Sequence, residues 1–230
     1  MDNYQFTIKD LTKFYNGKNV LNIPDLVIKK GMICGVMGPN GSGKTTLLSI
    51  LSLLIKPTSG RIYFNGLEMD DHEDDESILR RQMAMVLQNP FLLNTTVEKN
   101  VAYGLKIRSL GKKEQKEKVA ECLDLVGLTG FEKRKARELS GGEAQRVAIA
   151  RGIAVNPKVL FLDEPIANVD KTHTEILEKI IKELNHRYTT TIIFTTHDLN
   201  QAYRLSDEII VLSEGKIKKS FIPKNSPCAG

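Results

Sequence analysis

The stretch GPNGSGKT, residues 38–45, decides the fold of this chain. It fits the pattern G-x-x-x-x-G-K-[ST] in full, in which the backbone N–H groups of a glycine-rich loop surround phosphates. In that pattern Lys44 reaches the β and γ oxygens of a nucleotide, and Thr45 offers its hydroxyl to Mg²⁺. The apolar run MICGVMG precedes the loop, and the leucine-rich run TTLLSILSLLI follows it. A buried strand, a loop and a buried helix are therefore predicted in the order that the motif requires.

A second stretch, ELSGGEAQR at residues 138–146, also has the character of an anion site. Two glycines follow a serine, directly before the helix-like run AQRVAIARGIA. The first N–H groups of a helix have no partner within the helix, and the helix dipole is positive at that end. Both features attract an anion, so this chain carries two predicted phosphate-binding patterns.

The composition indicates a globular α/β protein. One domain over residues 1–230 fits the length better than two independent domains. Hydrophobic residues make up 41% and charged residues 27%, and no run of about 18 apolar residues is present. The N-terminal residues MDNYQFTIKDLTKFY are acidic and polar where a secretory signal needs a basic start and an apolar core. We therefore expect a cytoplasmic protein.

The cysteines and the net charge exclude more than they identify. Cys34, Cys122 and Cys228 are scattered and odd in number, so we expect reduced thiols and neither a disulfide framework nor a zinc site. A net charge of +5 permits contact with nucleic acid or a membrane surface. The basic residues are interleaved with acidic ones throughout, so the charge alone identifies no partner.

The remaining patterns predict a sheet of mostly parallel strands with two additions. Two strands that meet at Asn16-Gly17, together with the strand at residues 59–66, predict a small antiparallel layer. The strand-like runs KVLFLDEP, TTIIFTTHD and EIIVLSEGKI are separated by helical patterns, which favours a parallel sheet. Helical spacing over residues 97–127, with the helix after Gly142, predicts a helical subdomain inserted at about 90–155.

Two further segments are expected to be irregular. The acidic run DDHEDDE, residues 70–76, lacks the glycine and closing glutamate of a calcium loop, so we interpret it as a solvated loop. The tail KKSFIPKNSPCAG, residues 218–230, is polar, has two prolines and is expected to be frayed.

Acidic and imidazole groups follow two of the predicted strands. Asp163 and Glu164 end the run VLFLDE, where two adjacent acids are costly unless a cation or a reaction uses them. Asp163 is placed to hold a Mg²⁺ shell and Glu164 to activate or orient an attacking water. His197 follows the strand TTIIFTT at the sheet edge where α/β proteins usually bind ligands.

Taken together, the ordered motifs resemble those of the ATP-binding cassette (ABC) family over nearly the whole chain. The resemblance implies an α/β fold of the P-loop NTPase (RecA-like) class, with a mostly parallel core sheet, an antiparallel β subdomain and an inserted helical subdomain. It also implies ATP and Mg²⁺ as cofactors. The motifs that carry it are an aromatic residue at Tyr15, GPNGSGKT, Gln88 in VLQNP, the family signature LSGGE, LFLDEP, Asp170 in IANVD, and His197 in TTHD.

The resemblance also implies roles for individual residues. Tyr15 should stack on adenine, Gln88 should sense Mg²⁺ and the attacking water, and His197 should contact the γ-phosphate. The nucleotide-binding set is Tyr15, Gly38, Pro39, Asn40, Gly41, Ser42, Gly43, Lys44, Thr45 and Thr46. The catalytic set is Glu164, His197 and Gln88, and the metal set is Thr45, Gln88 and Asp163.

Two phosphate-binding patterns in one chain are explained by the same resemblance. In this family the signature, here Leu139, Ser140, Gly141, Gly142 and Glu143, caps the ATP held by a second copy in a head-to-tail dimer, and Asp170 communicates between the two sites. Glu143 stands where glutamine is frequent, and Ile166 replaces a small hydroxyl residue. Neither change removes a catalytic group, so we expect an active ATPase.

The machine that this ATPase drives is predicted to be a binding-protein-dependent importer. With no membrane span of its own, the chain is expected to dock peripherally on transmembrane permease subunits at the cytoplasmic face of the membrane, and indirectly to serve a solute-binding protein. Residues 91–111 resemble the ATPases of oxyanion importers for tungstate or molybdate. We expect no further domain after about residue 220, which favours the compact tungstate-type or amino-acid-type ATPases over longer sugar and molybdate ones.

Three alternatives stay open at this point. One is a lipoprotein-releasing or peptide-exporting ATPase. Another is a non-transport ABC ATPase acting on DNA or the ribosome, although the interval between Gln88 and Leu139 is short for the insertions of those relatives and no nucleic acid partner is expected. The third is a nucleotide-binding regulator that hydrolyses nothing, which the presence of Glu164 and His197 disfavours.

Overall fold

Two β-sheets and a set of helices between and around them make up the protein. The computed structural model describes residues 3–69, 73–166 and 171–223. In chain order the elements of this part are β1 (Tyr4–Tyr15), β2 (Lys18–Lys29), β3 (Ile33–Met37), α1 (Lys44–Leu51), β4 (Ser59–Phe64), β5 (Leu67–Glu68), α2 (Glu73–Arg80), β6 (Met83–Val86), α3 (Val97–Val101), α4 (Tyr103–Ile107), α5 (Lys112–Leu125), a 3-10 turn (Ala136–Glu138), α6 (Gly141–Ile153), β7 (Val159–Leu162), α7 (Lys171–Tyr188), β8 (Thr191–Thr196), α8 (Leu199–Leu205), β9 (Glu208–Ser213) and β10 (Lys216–Phe221).

The smaller sheet is antiparallel, as predicted, with strand order β2-β1-β4-β5. Its first two strands are long, because alternating apolar residues of β1 and β2 are buried along most of their length. The Asn16-Gly17 turn between them has φ of 48° and 78°, and the Asn65-Gly66 turn between β4 and β5 has φ of 54° and 83°. Paired left-handed residues match the twist of a hairpin, which explains the Asn-Gly sequence at both turns.

The larger sheet has the order β10-β9-β3-β8-β7-β6, and all neighbours except β10 and β9 pair in parallel. Every residue of β7 and β8 is buried, as expected for parallel strands covered on both faces. The carboxyl ends of β3, β7 and β8 lie side by side at one edge of the sheet. The phosphate loop and the acids and imidazole predicted from the sequence all follow these ends, so the topology brings them together.

The hydrophobic core has two parts. One lies between the two sheets and around α1, where the Phe6 ring is 5.3 Å from Phe64 and 6.0 Å from Phe161 between centroids. The other packs α3, α5, α6 and α7 against the opposite face of the parallel sheet. Between β6 and β7, a segment described throughout, the regular elements are α3, α4, α5, the 3-10 turn and α6, in agreement with the predicted inserted helices.

Some expectations at segment ends were wrong. The helix predicted from TTLLSILSLLI stops at Leu51, because Leu53 adopts a left-handed φ of 61° and the N–H groups of Leu54 and Ile55 turn back to the carbonyl of Ser49. The tail predicted as frayed begins inside β10, whose Ser220 and Phe221 pair with β9. The acidic run was predicted as a loop, but from Glu73 onward it forms α2, where Glu76 bonds to Arg80 one turn later.

The prediction of reduced cysteines agrees with the structure at the two cysteines that lie within the described residues. Cys34 and Cys122 are buried free thiols, and burial raises the pKa of Cys122 to about 12. Cys228 lies outside the described residues. Among the helices of the described chain, none has the length and apolar character needed to cross a membrane.

Candidate active site

The loop between β3 and α1 is held in place by backbone hydrogen bonds to two neighbouring segments and by close packing against a third. The N–H of Gly38 donates to the carbonyl of Thr196 at the end of β8, over 3.3 Å, and the N–H of Gly215 donates to Ser42 over 3.0 Å. Gly43 has a φ of 103°, and a Cβ there would lie 2.7 Å from Leu21 Cδ2 of β2. The loop therefore needs glycine at this position for both its backbone conformation and its close packing.

Lys44 begins α1 and turns its side chain back over the loop. Its Nζ donates to the carbonyls of Gly38, at 2.9 Å, and Pro39, at 3.2 Å, and lies 3.5 Å from Glu164 Oε1. The residue is only 5% exposed, so its ammonium is a fixed positive charge at the centre of the loop. Such a charge attracts the phosphates of a nucleotide.

Thr45 and Asp163 are joined directly, although 118 residues separate them in sequence. Thr45 Oγ1 donates to Asp163 Oδ1 over 3.1 Å, so the hydroxyl proton points at the carboxylate and the oxygen lone pairs point away. These lone pairs and the second carboxylate oxygen are hard donors of the kind that Mg²⁺ accepts. Mg²⁺ usually takes one or two protein oxygens and completes its shell with phosphate and water, so these two residues fit that ion.

Glu164 is held in an unusual conformation between two basic groups. Its φ is 43°, a left-handed value that is uncommon for a side chain of this size, and its N–H donates to Thr195 Oγ1 over 2.8 Å. The carboxylate places Oε1 3.5 Å from Lys44 Nζ and Oε2 3.3 Å from His197 Nδ1. The Glu164 side chain is 12% exposed and that of His197 is 60% exposed, so the carboxylate is protected while the imidazole is accessible to solvent.

A cavity of about 350 Å³ opens over the phosphate loop. Its lining brings together eight of the residues predicted from sequence, namely Asn40, Gly41, Gly43, Lys44, Thr45, Thr46, Gln88 and Glu164, together with Val20 of β2. Val20 was not predicted, because a single valine in an alternating strand gives no signal of a binding role. Thr195 was also missed, since its sequence position is that of an ordinary buried strand residue.

Tyr15, like Gly38, Pro39, Ser42, Asp163 and His197, is a predicted residue that this lining does not include. Tyr15 ends β1 with 45% of its surface exposed, five residues before Val20, and Lys13 Nζ lies 5.0 Å from its ring centroid. It does not line the cavity among the residues that the structure describes. Asp170 lies outside the described residues.

The second phosphate-binding pattern forms the start of α6, as predicted. Ser140 is the N-cap: its Oγ accepts from the N–H of Glu143 over 3.3 Å, and its own N–H donates to Glu143 Oε2 over 2.7 Å. This reciprocal pair is a capping box. Because the serine oxygen is an acceptor within it, the hydroxyl proton is available to an outside acceptor.

The carboxylate in this capping box is neutralised by an arginine. Arg134 Nη1 lies 3.2 Å from Glu143 Oε1, and its guanidinium stacks 4.2 Å from the Phe131 ring centroid. The backbone N–H of Ser140, with smaller contributions from its hydroxyl and from Arg134, lowers the pKa of Glu143. A negative side chain at a helix N-terminus is thereby paired and does not repel an anion from the adjacent N–H groups.

The two glycines at the start of α6 differ in their surroundings. Gly141 is exposed and a Cβ there would meet no atom within 4 Å, whereas a Cβ at Gly142 would lie 2.7 Å from His173 Cδ2 of α7. Their N–H groups are the first of the helix and have no acceptor one turn earlier. No residue of the signature lines the cavity over the phosphate loop in the described chain.

Comparison with protein-family models gives a match to the ABC transporter model over residues 21–167. Among curated proteins, a tungstate uptake system ATP-binding protein of Peptoclostridium acidaminophilum is 40% identical over 93% of this chain and 96% of its own length. An Fe(3+) ions import ATP-binding protein of Haemophilus influenzae is also 40% identical, over 94% of this chain. A sulfate/thiosulfate import ATP-binding protein of Agrobacterium fabrum is 39% identical. The chain spans 66% of the iron relative and 62% of the sulfate relative.

Comparison with solved structures gives the same fold. The structure of cbiO1 from Clostridium perfringens, part of the ABC transporter complex cbiONQ, matches with a TM-score of 0.91 at 30% identity, over 97% of this chain and 90% of that one. The dimeric cassette MJ0796 bound to ADP and Pi matches with a TM-score of 0.86 at 33% identity, over 94% of this chain and 98% of that one. The α/β fold with parallel and antiparallel sheets predicted from the sequence is confirmed.

Proposed function

Because the chain belongs to the ABC transporter family, we propose that it is the ATP-hydrolysing subunit of a binding-protein-dependent importer. The single observation that carries the hydrolytic part is the contact cluster of Lys44, Thr45, Asp163, Glu164 and His197 at one edge of the parallel sheet. The whole chain is taken as one ABC domain, with the helices between β6 and β7 as its helical subdomain.

The first part of the mechanism is capture of the nucleotide. The phosphate loop and Lys44 present N–H groups and an ammonium to the β- and γ-phosphates, and the exposed ring of Tyr15 stacks on adenine. Phosphate oxygens replace the carbonyls of Gly38 and Pro39 as partners of Lys44 Nζ. This exchange supplies charge-assisted hydrogen bonds in a mostly buried setting, where they are stronger than in water.

The second part is attack of water on the γ-phosphate. Glu164 accepts a hydrogen bond from the attacking water and orients it, while the solvent-exposed His197 donates to a γ-phosphate oxygen. Thr45 and Asp163 would hold Mg²⁺, and Gln88, which lines the same cavity, would contact the ion and the attacking water. When bound, this ion supplies neutralisation of the charge that develops on the phosphate oxygens.

The start of α6 serves the nucleotide of a second copy in this proposal. Ser140 Oγ–H and the N–H groups of Gly141 and Gly142 donate to a γ-phosphate presented from outside the chain. The dimer is then favoured only while that phosphate is attached, so hydrolysis removes the contact that holds the two copies together. Leu139 and Asp170 belong to the same proposed interface.

Docking on permease subunits places the chain peripherally at the cytoplasmic face of the membrane. The exposed apolar residues Leu87, Phe91, Tyr103 and Ile107 lie on and after the Gln88 loop, where the family resemblance places this contact. Burying such side chains in an interface is favourable by roughly 25 cal/mol per Å² of apolar surface.

We propose that the cargo is an oxyanion, supported by the tungstate and sulfate relatives, with Fe³⁺ as the second candidate from the equally similar iron relative.

A pull-down from solubilised membranes tests the transport assignment. With this chain as bait, we expect a small permease, and its soluble binding protein should bind tungstate or molybdate in preference to phosphate, amino acids or Fe³⁺. Recovery of a membrane subunit with a large extracytoplasmic domain would support a lipoprotein-releasing or exporting ATPase. Recovery of ribosomes or DNA without a membrane subunit would overturn the transport assignment and leave the ATPase.

A further inference from the structure

The buried hydroxyl of Thr195 connects the two acidic residues of the active site. Thr195 Oγ1 donates to Asp163 Oδ1 over 2.7 Å and accepts from the N–H of Glu164 over 2.8 Å. The residue is 0% exposed, and its neighbour Phe194 pairs with Leu162, so the register of β7 and β8 fixes it opposite the two acids. One hydroxyl therefore bonds both to the side chain of Asp163 and to the backbone N–H of the next residue, Glu164.

Both of these bonds have a fixed direction. An ionised carboxylate only accepts, so the hydroxyl proton points to Asp163, and the oxygen lone pairs are left for the Glu164 N–H. Thr45 Oγ1 donates to the same Oδ1 of Asp163. Two donors on Oδ1 orient the carboxylate, and its other oxygen is directed away from both of them.

The bond to Glu164 stabilises a conformation that this residue rarely adopts. A left-handed backbone persists at a non-glycine residue when its surroundings supply specific contacts, and the Thr195 hydroxyl supplies one to its N–H. The same backbone turn directs the Glu164 carboxylate to the place between Lys44 and His197. A small rotation of that turn moves the carboxylate away from any water that it orients.

We propose that Thr195 is a positioning residue for ATP hydrolysis, which sets the carboxylate of Asp163 for the metal and the backbone of Glu164 for the attacking water. It contacts neither nucleotide nor water itself. This proposal rests on the proposed ATPase function of the same site.

The test compares Thr195→Val with a matched change on the same strand. Thr191 is 1% exposed, and its hydroxyl likewise donates to a side chain, Gln5 Oε1 at 2.9 Å, and accepts from a backbone N–H, that of Gly31 at 2.9 Å. Thr191→Val therefore removes an equivalent pair of bonds at the opposite end of β8. Thr195→Ser restores the hydroxyl at the active site.

Steady-state hydrolysis at varied ATP and Mg²⁺ concentrations provides the readout. We expect Thr195→Val to lower kcat by on the order of tenfold to a hundredfold with little change in KM for ATP, and to raise the Mg²⁺ concentration needed for half-maximal rate. Thr195→Ser should recover most of the rate, and Thr191→Val should keep the kcat of the parent. A parental kcat in Thr195→Val, or an equal loss in Thr191→Val, would overturn the proposal.

A second readout separates failure of this inference from failure of the proposed function. The thermal stabilisation produced by ATP should depend on Mg²⁺ in the parent and in Thr191→Val, and much less in Thr195→Val. If the parent chain hydrolyses no ATP, the proposed function falls, and this binding measurement still tests Thr195: equal Mg²⁺ dependence in all three proteins would refute its role.

Discussion

At the scale of single residues, the environment of Glu164 separates binding from hydrolysis. Its carboxylate lies beside Lys44 and His197, whereas in the proposed mechanism the loop backbone and Lys44 hold the nucleotide phosphates. A change confined to the carboxylate therefore affects the step in which water attacks. The same change leaves the proposed phosphate-binding groups in place.

Glu164→Gln should bind ATP but hardly hydrolyse it. Glutamine keeps the size of the side chain and loses its negative charge, so it orients water poorly and no longer accepts a proton. We expect kcat to fall by at least about a hundredfold, while the affinity for ATP, measured by titration calorimetry, stays the same or increases. The exposed carboxylate Glu68 on β5 offers a control, and Glu68→Gln should keep the parental rate. Parental turnover in Glu164→Gln would show that another group activates the water.

At the scale of elements, the start of α6 depends on small residues for packing as well as for access. Gly142→Ala would place a Cβ 2.7 Å from the ring of His173, so either the His173 side chain or the first turn of α6 has to shift. Gly141→Ala meets nothing within 4 Å and serves as its matched control. We expect urea unfolding to show Gly142→Ala less stable than Gly141→Ala by about 1–3 kcal/mol, as for other overpacked positions. Equal stability of the two variants would mean that α6 and α7 are not packed as described.

The capping box of the same helix should make stability depend on pH. The pKa of Glu143 is lower in the folded chain than the value of about 4.3 expected in the unfolded chain. Its ionised form therefore stabilises the fold above that unfolded value, and this contribution is lost as the pH falls through the folded pKa. Glu143→Gln keeps an acceptor for the Ser140 N–H but removes the charge that pairs with Arg134.

Urea midpoints of the parent and of Glu143→Gln, measured from pH 7 down to pH 3, test this expectation. The parent should be more stable at pH 7, and the difference should shrink as the pH falls below about 4. Glu117→Gln, on the exposed face of α5, should leave the midpoint unchanged across the range. A difference for Glu143→Gln that is independent of pH would contradict the assignment of its ionised form to the capping box.

At the scale of the whole molecule, the sequence predicts the fold well because its motifs coincide with its topology. GPNGSGKT, LFLDEP and TTHD each lie at the carboxyl end of a buried strand, and parallel pairing alone brings the three strand ends together. The ends of elements were less predictable. Leu53 stops α1 by adopting a left-handed backbone that its side chain does not favour, and β10 forms because β9 offers an edge for a lysine-rich strand.

Two residues near the proposed sites, Thr195 and Arg134, could not be identified from the sequence because their roles depend on contacts made only in the folded chain. Thr195 and Arg134 act through contacts with residues that are respectively 32 and 9 positions away in the chain, and neither belongs to a recognisable motif. Buried threonines are common in strands, so only the distances to Asp163 and Glu164 distinguish this one. The two phosphate-binding patterns were visible from the sequence, but no signature residue of the described chain lines the cavity over the phosphate loop, and in the proposed dimer a second copy joins the two.

Sedimentation velocity of Glu164→Gln with ATP and Mg²⁺ tests the central claim, that two copies close around ATP, most directly. If two copies close around ATP, the variant should sediment near twice the chain mass of 25.8 kDa with ATP and at the single mass with ADP. Adding Lys44→Ala to this variant should abolish the larger species, because the phosphates then lose their buried cation. A species of single mass, at ATP concentrations that calorimetry shows to saturate the site, would contradict closure of two copies around ATP.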